Sequence, residues 1–383
     1  MKQTEIGIIP EDWEVKEFGR YVSIVRGGSP RPIQNYLTAN MDGINWIKIG
    51  DVNPGDKYII STEEKIIPEG KTYSREVHKG DFLLSNSMSF GRPYILQIDG
   101  CIHDGWLAIQ NYSETFDRDF LFYLLGSEAI QKQYLSMAAG SSVQNLNKEK
   151  VAKLLLPVPP TMEEQQKIAK VLGNIDNTIN ALEKLIEKKK NIKQAAMQQL
   201  LTPKPDWKQT TVGYIAKINK GTQLNSDLLT DKNITMYPCL NGGIEPSGYT
   251  SQYNVKKNTI SISEGGNSCG FINYNKTEFW AGGHCYYLSN ISCYDIFLYF
   301  LLKNHEKQIM SLRVGSGLPN IQKNSLKEFI LKIPKTITEQ KKTADILSDM
   351  QNEISALEQK ISKYRSLKAA MASQLLTGKI RLV

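Results

Sequence analysis

The chain has 383 residues, a length that favours two or more domains, and 40% hydrophobic with 9% aromatic residues is enough for real cores and excludes a disordered chain. The longest apolar run, Ile296 to Leu302, is about seven residues against the ~18 of a membrane span, and five cysteines without a C-x-x-C pair indicate neither a disulfide framework nor a zinc site. A formal net charge of +8 admits a nucleic-acid partner without requiring one. The opening residues Met1 to Glu5 lack the apolar stretch of a secretory signal, so a cytoplasmic location with no membrane partner is expected.

In chain order, Asp12-Trp13 opens a segment with short β-rich runs at Ile44–Ile49, Phe82–Leu84 and Tyr94–Ile98, separated by Gly and Asp clusters. Within it, Arg26-Gly27-Gly28-Ser29-Pro30-Arg31 and Ser85-Asn86-Ser87-Met88-Ser89 with Gly91-Arg92 have the composition of DNA-reading loops. Small residues there allow close approach, Arg suits phosphate or guanine, and Asn suits adenine edges. Each such cluster taken singly is also an ordinary turn. Gly70-Lys71-Thr72 resembles the end of a phosphate-binding loop, but Lys65 stands where that loop requires glycine. Cys101-Ile102-His103-Asp104, like His284-Cys285 further on, admits a Cys–His nucleophile pair, although polar residues in a turn are the simpler reading.

One aromatic-rich helix is predicted around Phe120–Ala138. A glycine-serine turn follows, Gly140-Ser141-Ser142 with Gln144, Asn145 and Lys148. Such a turn opening a short helix is either an ordinary N-cap or a phosphate site built on free backbone N–H groups.

Thr161-Met162-Glu163-Glu164 is a capping box and starts the first long helix. Its apolar residues Ile168, Leu172, Ile175, Ile179, Leu182 and Ile186 recur every 3.5 residues, the seam of a coiled coil, until Lys189 and Lys193 interrupt it; Pro203 closes the helix.

A second segment then opens at Asp206-Trp207, with β-rich runs at Thr259–Ser263, Gly270–Tyr274 and His284–Leu288 and a helix around Asp295–Leu312. Its candidate reading loops are Lys220-Gly221-Thr222-Gln223, Asn241-Gly242-Gly243 and Ser263-Glu264-Gly265-Gly266-Asn267-Ser268. The turn Gly315-Ser316-Gly317 with Asn320 and Lys323 precedes a second capping box, Thr336 to Glu339. A second seam follows with Leu347, Met350, Ile354, Leu357 and Ile361, closed by Gly378.

The two halves are copies. Residues 140–204 return 175 positions later with roughly 26 of 65 positions identical, whereas Asp12-Trp13, Gly19, Ile24 and Gly27 return 194 positions later. The first segment is therefore about 19 residues longer than the second. Two helices of ~39 residues would each span ~58 Å and, with a globular segment between them, pair antiparallel. Charge divides unevenly: residues 1–160 carry 17 basic and 20 acidic side chains, residues 202–335 carry 15 and 9. The predicted fold class is thus α+β, two α/β modules joined by two long antiparallel coiled-coil helices in a pseudo-twofold internal repeat. The domains run 1–160, 161–202, 203–335 and 336–383.

Catalytic signatures are missing: no G-x-G-x-x-G follows a strand, no N-P-P-Y or D-P-P-Y positions an amino group for methylation, and the four histidines form no close ligand pair, so neither a catalytic nor a metal site is expected. The chain resembles the specificity subunit of type I restriction–modification systems over essentially its whole length. The resemblance is carried by the doubled Pro159-Pro160-Thr161-Met162-Glu163-Glu164-Gln165-Gln166-Lys167-Ile168 and Pro334-Lys335-Thr336-Ile337-Thr338-Glu339-Gln340, the openings at Trp13 and Trp207, and the close Leu375-Leu376-Thr377-Gly378-Lys379-Ile380-Arg381-Leu382. Trp46-Ile47-Lys48-Ile49-Gly50-Asp51-Val52 also looks like target-recognition sequence of that family.

The resemblance implies that each module reads one half of a bipartite, asymmetric site on double-stranded DNA. It also implies that the helices act as a ruler and dock two modification subunits, which bind S-adenosylmethionine and methylate adenine, and that a restriction and translocation subunit joins through them. This chain would bind no cofactor and perform no bond chemistry. The expected DNA contacts are Arg26, Ser29, Arg31, Lys48, Asn86, Ser87, Ser89, Arg92, Ser141, Ser142, Gln144 and Asn145 in the first copy. In the second they are Lys220, Thr222, Gln223, Asn241, Glu264, Asn267, Ser268, Ser316 and Asn320. Three competing readings are a specificity subunit of another restriction–methylation type, a coiled-coil scaffold that does not bind DNA, and a cysteine hydrolase.

Overall fold

Each module is tied together by one antiparallel strand pair between its opening and closing segments, preceded in the first by a hairpin of Lys2–Thr4 with Gly7–Ile9. Glu14–Glu17 pairs with Leu155–Val158, Lys16 opposite Leu156, and Lys208–Thr211 pairs with Ile330–Ile333, Gln209 opposite Lys332. The two sequence spacings meet here, because the opening strands follow one spacing and the closing strands the other. The computed structural model describes residues 1–53, 55–86, 91–138, 146–232, 236–315, 317 and 319–382. They form two units, Met1–Leu182 with Lys360–Val383, and Glu183–Gln359. The division falls inside the long helices rather than at their ends.

In the first unit, one five-stranded sheet has the order Ser23–Arg26, Trp106–Gln110, Phe82–Ser85, Pro93–Leu96, Tyr58–Ile59. A second has Leu37–Thr38, Glu64–Ile66, Ile44–Ile47, Gly100–Ile102, Arg75–Val77. Strand Phe82–Ser85 is buried throughout because both of its faces are covered. Phe82 and Leu84 face the helices with Phe120, Leu121 and Leu124, while Leu83 faces a separate core with Tyr94, Trp106 and Ala108. Alternate residues of one apolar run thus supply two cores.

The second unit repeats this plan with fewer strands: Lys217–Lys220, Cys285–Ser289, Thr259–Ser263, Ile272–Asn275 in one sheet and Gly248–Thr250, Tyr237–Leu240, Trp280–Ala281 in the other. The smaller number of strands among the described residues accords with the shorter segment. Its main core gathers Trp207, Ile260, Ile262, Phe297 and Leu301.

The single helix predicted in each module is two. Arg118–Leu125 and Glu128–Ala138 are separated at Gly126-Ser127, and Asp295–Asn304 and Glu306–Met310 are separated at His305. Neither break contains a proline, so the sequence pattern hides it.

The long helices are Met162–Leu200 and Ile337–Leu375. Thr161 and Thr336 cap them, each hydroxyl accepting from the N–H three residues on, that of Glu164 (3.2 Å) and of Glu339 (3.3 Å). The acids of the two capping boxes are taken up by cations. Glu164 binds Arg381, and Glu339 binds Lys204 at 2.9 Å.

Within each unit the helical segments run antiparallel. In the first, Asp176 pairs with Lys368 (2.6 Å); in the second, Lys189 pairs with Glu353 (2.6 Å) and Lys190 with Glu358 (2.7 Å). The lysines that interrupt the apolar pattern are therefore partnered, Lys193 bonding Gln351.

The predicted seam has two jobs. Ile168 and Leu172 belong to the first module's core and Leu347 to the second's, with Met350 packed at its edge. Ile175, Ile179, Leu182, Ile186, Ile354 and Ile361 are buried further along the helices, and Leu357 is half-buried. A 3.5-residue period does not distinguish a helix partner from a module face.

Candidate nucleic-acid interface

In the first unit, four backbone segments converge where the strands end. Gly27 N–H donates to Trp106 O (2.9 Å), Gly28 N–H to Ile102 O (3.2 Å), His103 N–H to Ile47 O (3.3 Å) and Asn86 N–H to Gly105 O (3.1 Å). A Cβ on Gly27 would stand 2.0 Å from His103 O, so only glycine permits this approach. Leu146, buried, donates its N–H to Asn86 O (3.1 Å) and ties the segment after the glycine-serine turn to the same place.

Asp104 is the hub. Its carboxylate accepts from Ser29 Oγ (3.0 Å) and Arg31 Nη2 (3.4 Å), and its backbone carbonyl accepts from Asn86 Nδ2 (2.9 Å) and Arg26 Nε (3.4 Å). Four of the predicted contacts therefore meet on one residue. Arg26 and Arg31 are exposed, with guanidinium groups available to an anion from solvent; Asn86 is 2% exposed. Asn86 is corrected from an expected DNA contact to a residue that holds the 103–105 loop, because its side chain is buried and bonded to Asp104 O.

The second unit builds the same arrangement from other residues. Gly221 N–H donates to Cys285 O (2.8 Å), Thr222 N–H to Ala281 O (2.8 Å), Gly282 N–H to Leu240 O (2.8 Å), Glu264 N–H to His284 O (2.9 Å) and Ile321 N–H to Glu264 O (2.8 Å). A Cβ on Gly221 would stand 2.3 Å from Gly282 O. Asn86 and Glu264 thus hold equivalent places, as do Leu146 and Ile321.

Here the hub is Glu264, 8% exposed, whose Oε1 accepts from Lys220 Nζ (2.7 Å) and Tyr286 Oη (2.9 Å). His284 Nδ1 lies 3.8 Å from its other oxygen, and His284 is exposed. Burial and the Glu264 carboxylate push the Tyr286 phenol well above its usual range, so Tyr286 remains a donor. Glu264 is likewise corrected: it is an internal acceptor, not a free carboxylate.

The remaining expected residues are spread more widely. Asn241 Oδ1 accepts from His284 N–H (2.9 Å), which places it in the second cluster. Asn320 is bridged to Gly265. Thr222, Gln223 and Asn267 are exposed on the adjoining loops, and Ser268 is half-buried. Lys48 is engaged by Glu64 at 3.0 Å. Arg92 is not among the groups gathered on Asp104: it lines a cleft of about 830 Å³ with Ile8, Phe122, Ile130 and Ala372.

Ser87, Ser89, Ser141, Ser142, Gln144, Asn145 and Ser316 lie outside the described residues. The short helices Lys148–Ala152 and Lys323–Glu328 have Asn147 and Gln322 at their N-caps, and Asn147 Oδ1 accepts from Lys150 N–H (2.8 Å).

Sequence reasoning missed the hub role of Asp104 and the partnership of Tyr286 with Glu264. The one available signal was that His103-Asp104 and His284 stand just before strands that pair with the Gly27 and Gly221 strands. The Cys–His nucleophile is overturned. Cys101 and Cys285 are buried, and burial pushes both thiols up, that of Cys285 to about 12, so neither supplies a thiolate at neutral pH.

Two matched modules, each presenting a loop cluster at one end of its sheets and each followed by a copy of the same long helix, define a tandem recognition architecture. The chain belongs to the type I restriction modification DNA specificity domain family, whose model matches it twice, over residues 10–194 and 204–364. A protein of Mycoplasma pneumoniae named as a type I specificity subunit is 33% identical over 180 residues, 46% of this chain and 47% of that one, so the match spans about half the length of that relative. The MjaVIII type I restriction enzyme specificity subunit of Methanocaldococcus jannaschii is 22% identical over 98% of this chain and 94% of its own. The crystal structure of a type I restriction–modification S subunit from M. genitalium shares the fold, with a TM-score of 0.66 at 18% identity over 98% of both chains. Among the described residues, no helix is long and apolar enough to cross a membrane.

Proposed function

We propose that this chain is the sequence-reading, non-catalytic subunit of a type I restriction–modification complex acting in the cytoplasm in host defence. Each module contacts one half of a bipartite, asymmetric site on double-stranded DNA. The duplicated helical frame seats two modification subunits, which carry S-adenosylmethionine and methylate adenine, and the restriction and translocation subunit joins through them. The observation that carries this reading is the repetition of the loop cluster: the same backbone bonds place Arg26, Ser29 and Arg31 in one unit and Lys220, Asn241 and His284 in the other. Arg26, Arg31 and Lys220, each held beside an acid, are oriented yet exposed, the arrangement suited to phosphate and base edges.

Footprinting of the chain with its modification partner tests the reading. The expected result is two short protected segments separated by an unprotected one, with affinity falling steeply as salt rises because phosphate contacts release counterions. Partner binding that is insensitive to salt and leaves no footprint would favour the scaffold reading.

A further inference from the structure

Gln165 and Gln340 occupy equivalent places in the first turns of the two long helices, and each accepts an equivalent bond from a module-helix N-cap. Gln165, 2% exposed, accepts from Asp117 N–H with Oε1 (2.8 Å) and donates from Nε2 to Thr115 O (3.1 Å). Gln340, 3% exposed, accepts from Tyr294 N–H (2.8 Å) and donates to Pro334 O (3.0 Å). Asp117 and Tyr294 are the N-caps of module helices Arg118–Leu125 and Asp295–Asn304. One buried amide thus fastens the start of each module helix to the start of its long helix. An amide suits the position because it accepts at one atom and donates at the other, which neither a thioether nor a carboxylate does.

The second fastening differs between the units. In the first, Tyr123 Oη donates to Asp176 Oδ2 (2.8 Å), while Lys368 Nζ sits on Oδ1 (2.6 Å) and 5.5 Å from the Tyr123 ring centre. This second point lies eleven residues along the long helix from Gln165, about 16 Å. At the matching places of the second unit, Phe300 has no hydroxyl, Gln351 replaces the aspartate, and Lys193 lies 5.9 Å over the Phe300 ring.

We infer that Gln165 and Gln340 are positioning residues that fix the seat of each module on the helical frame, and so the length of the unread spacer between the two half-sites. Among the described residues, the first module is seated at two part-buried polar points and the second at one, beside which Lys276 Nζ makes an exposed bond to Asn352 Oδ1 (3.4 Å). The inference rests on the bipartite reading above.

Complexes of the full chain with its modification subunits are given duplexes that differ only in spacer length, and methylation of each is measured. The wild-type complex favours one length. Gln340→Met, similar in size and without hydrogen bonds, is expected to raise methylation at lengths one base pair longer and shorter by about fivefold, the worth of a lost buried hydrogen bond, with half-site sequences unchanged. Gln165→Met broadens the preference less, because Tyr123 still holds Asp176, and adding Tyr123→Phe brings it to the level of Gln340→Met.

Should Gln340→Met not fold, Gln165→Glu combined with Tyr123→Phe, which removes the bonds of the first module through Thr115 O and to Asp176, is expected to broaden the preference in the same direction. Folded variants that keep the wild-type spacer profile overturn the inference alone. A wild-type complex without spacer preference overturns the bipartite reading and this inference with it.

Discussion

Arg381→Ala is expected to destabilise the first unit by about 2–3 kcal/mol, somewhat below the loss from breaking a fully buried ion pair, because the arginine is itself a quarter exposed. The guanidinium donates from Nε and Nη2 to Glu164 (2.5 and 2.9 Å) and from Nη1 and Nη2 to Asp12 (2.8 and 2.9 Å), and it lies 5.8 Å over the Trp13 ring. Most of the loss arises at Glu164, whose side chain is 3% exposed and would be left charged without a partner.

In a unit of this size the corresponding fall in Tm is about 5–8 °C, read by calorimetry. Arg381→Ala combined with Glu164→Gln should recover part of it, since the buried charge is then gone. A fall of under about 1 °C would contradict the account. The pH dependence has a definite sign. The Arg381 hydrogen bonds hold the Asp12 carboxyl below the usual carboxylate range. The Asp12 contribution is therefore present above its unfolded value and is lost as pH falls through the lowered folded one, so wild type and variant converge in acid.

Glu264→Ala is expected to weaken recognition of one half-site by about 10- to 100-fold and to leave the other half-site unchanged, because it releases Lys220 from a buried acceptor and leaves the Tyr286 hydroxyl on Ile321 O alone. Lys220 and Tyr286 lose their shared partner, and His284 loses the carboxylate beside it. Glu264→Gln, whose amide oxygen still accepts, should retain most of the selectivity. Methylation of duplexes randomised in one half-site at a time reads the effect. Equal loss at both half-sites, with the protein folded, would show that the second cluster does not read its half independently.

The repeat, the long helices and the two-module plan were legible because they depend on local patterns, namely periodic apolar residues, capping threonines and constant spacings. Gly27 and Gly221 were legible as a matched pair. Their steric reason was not, since the carbonyls that exclude a Cβ come from His103 and Gly282, far along the chain.

The acid hubs escaped for a similar reason. Asp104 meets Arg26, Ser29 and Arg31 only because Ser23–Arg26 pairs with Trp106–Gln110. Asn86 and Glu264 looked like reading residues by type, and burial turned them into supports. Likewise, Glu164 looked like the acid of a capping box until Arg381, 217 positions away, was found on it.

The central claim, one half-site per module, is tested most directly by mapping methylated adenines across the genome of a host that expresses this chain with its modification subunits. The account predicts a single bipartite motif with a fixed unread spacer that appears with the chain and vanishes without it. Glu264→Ala should degrade one half of that motif only. A contiguous motif, or an adenine methylation pattern that does not depend on the chain, would contradict it.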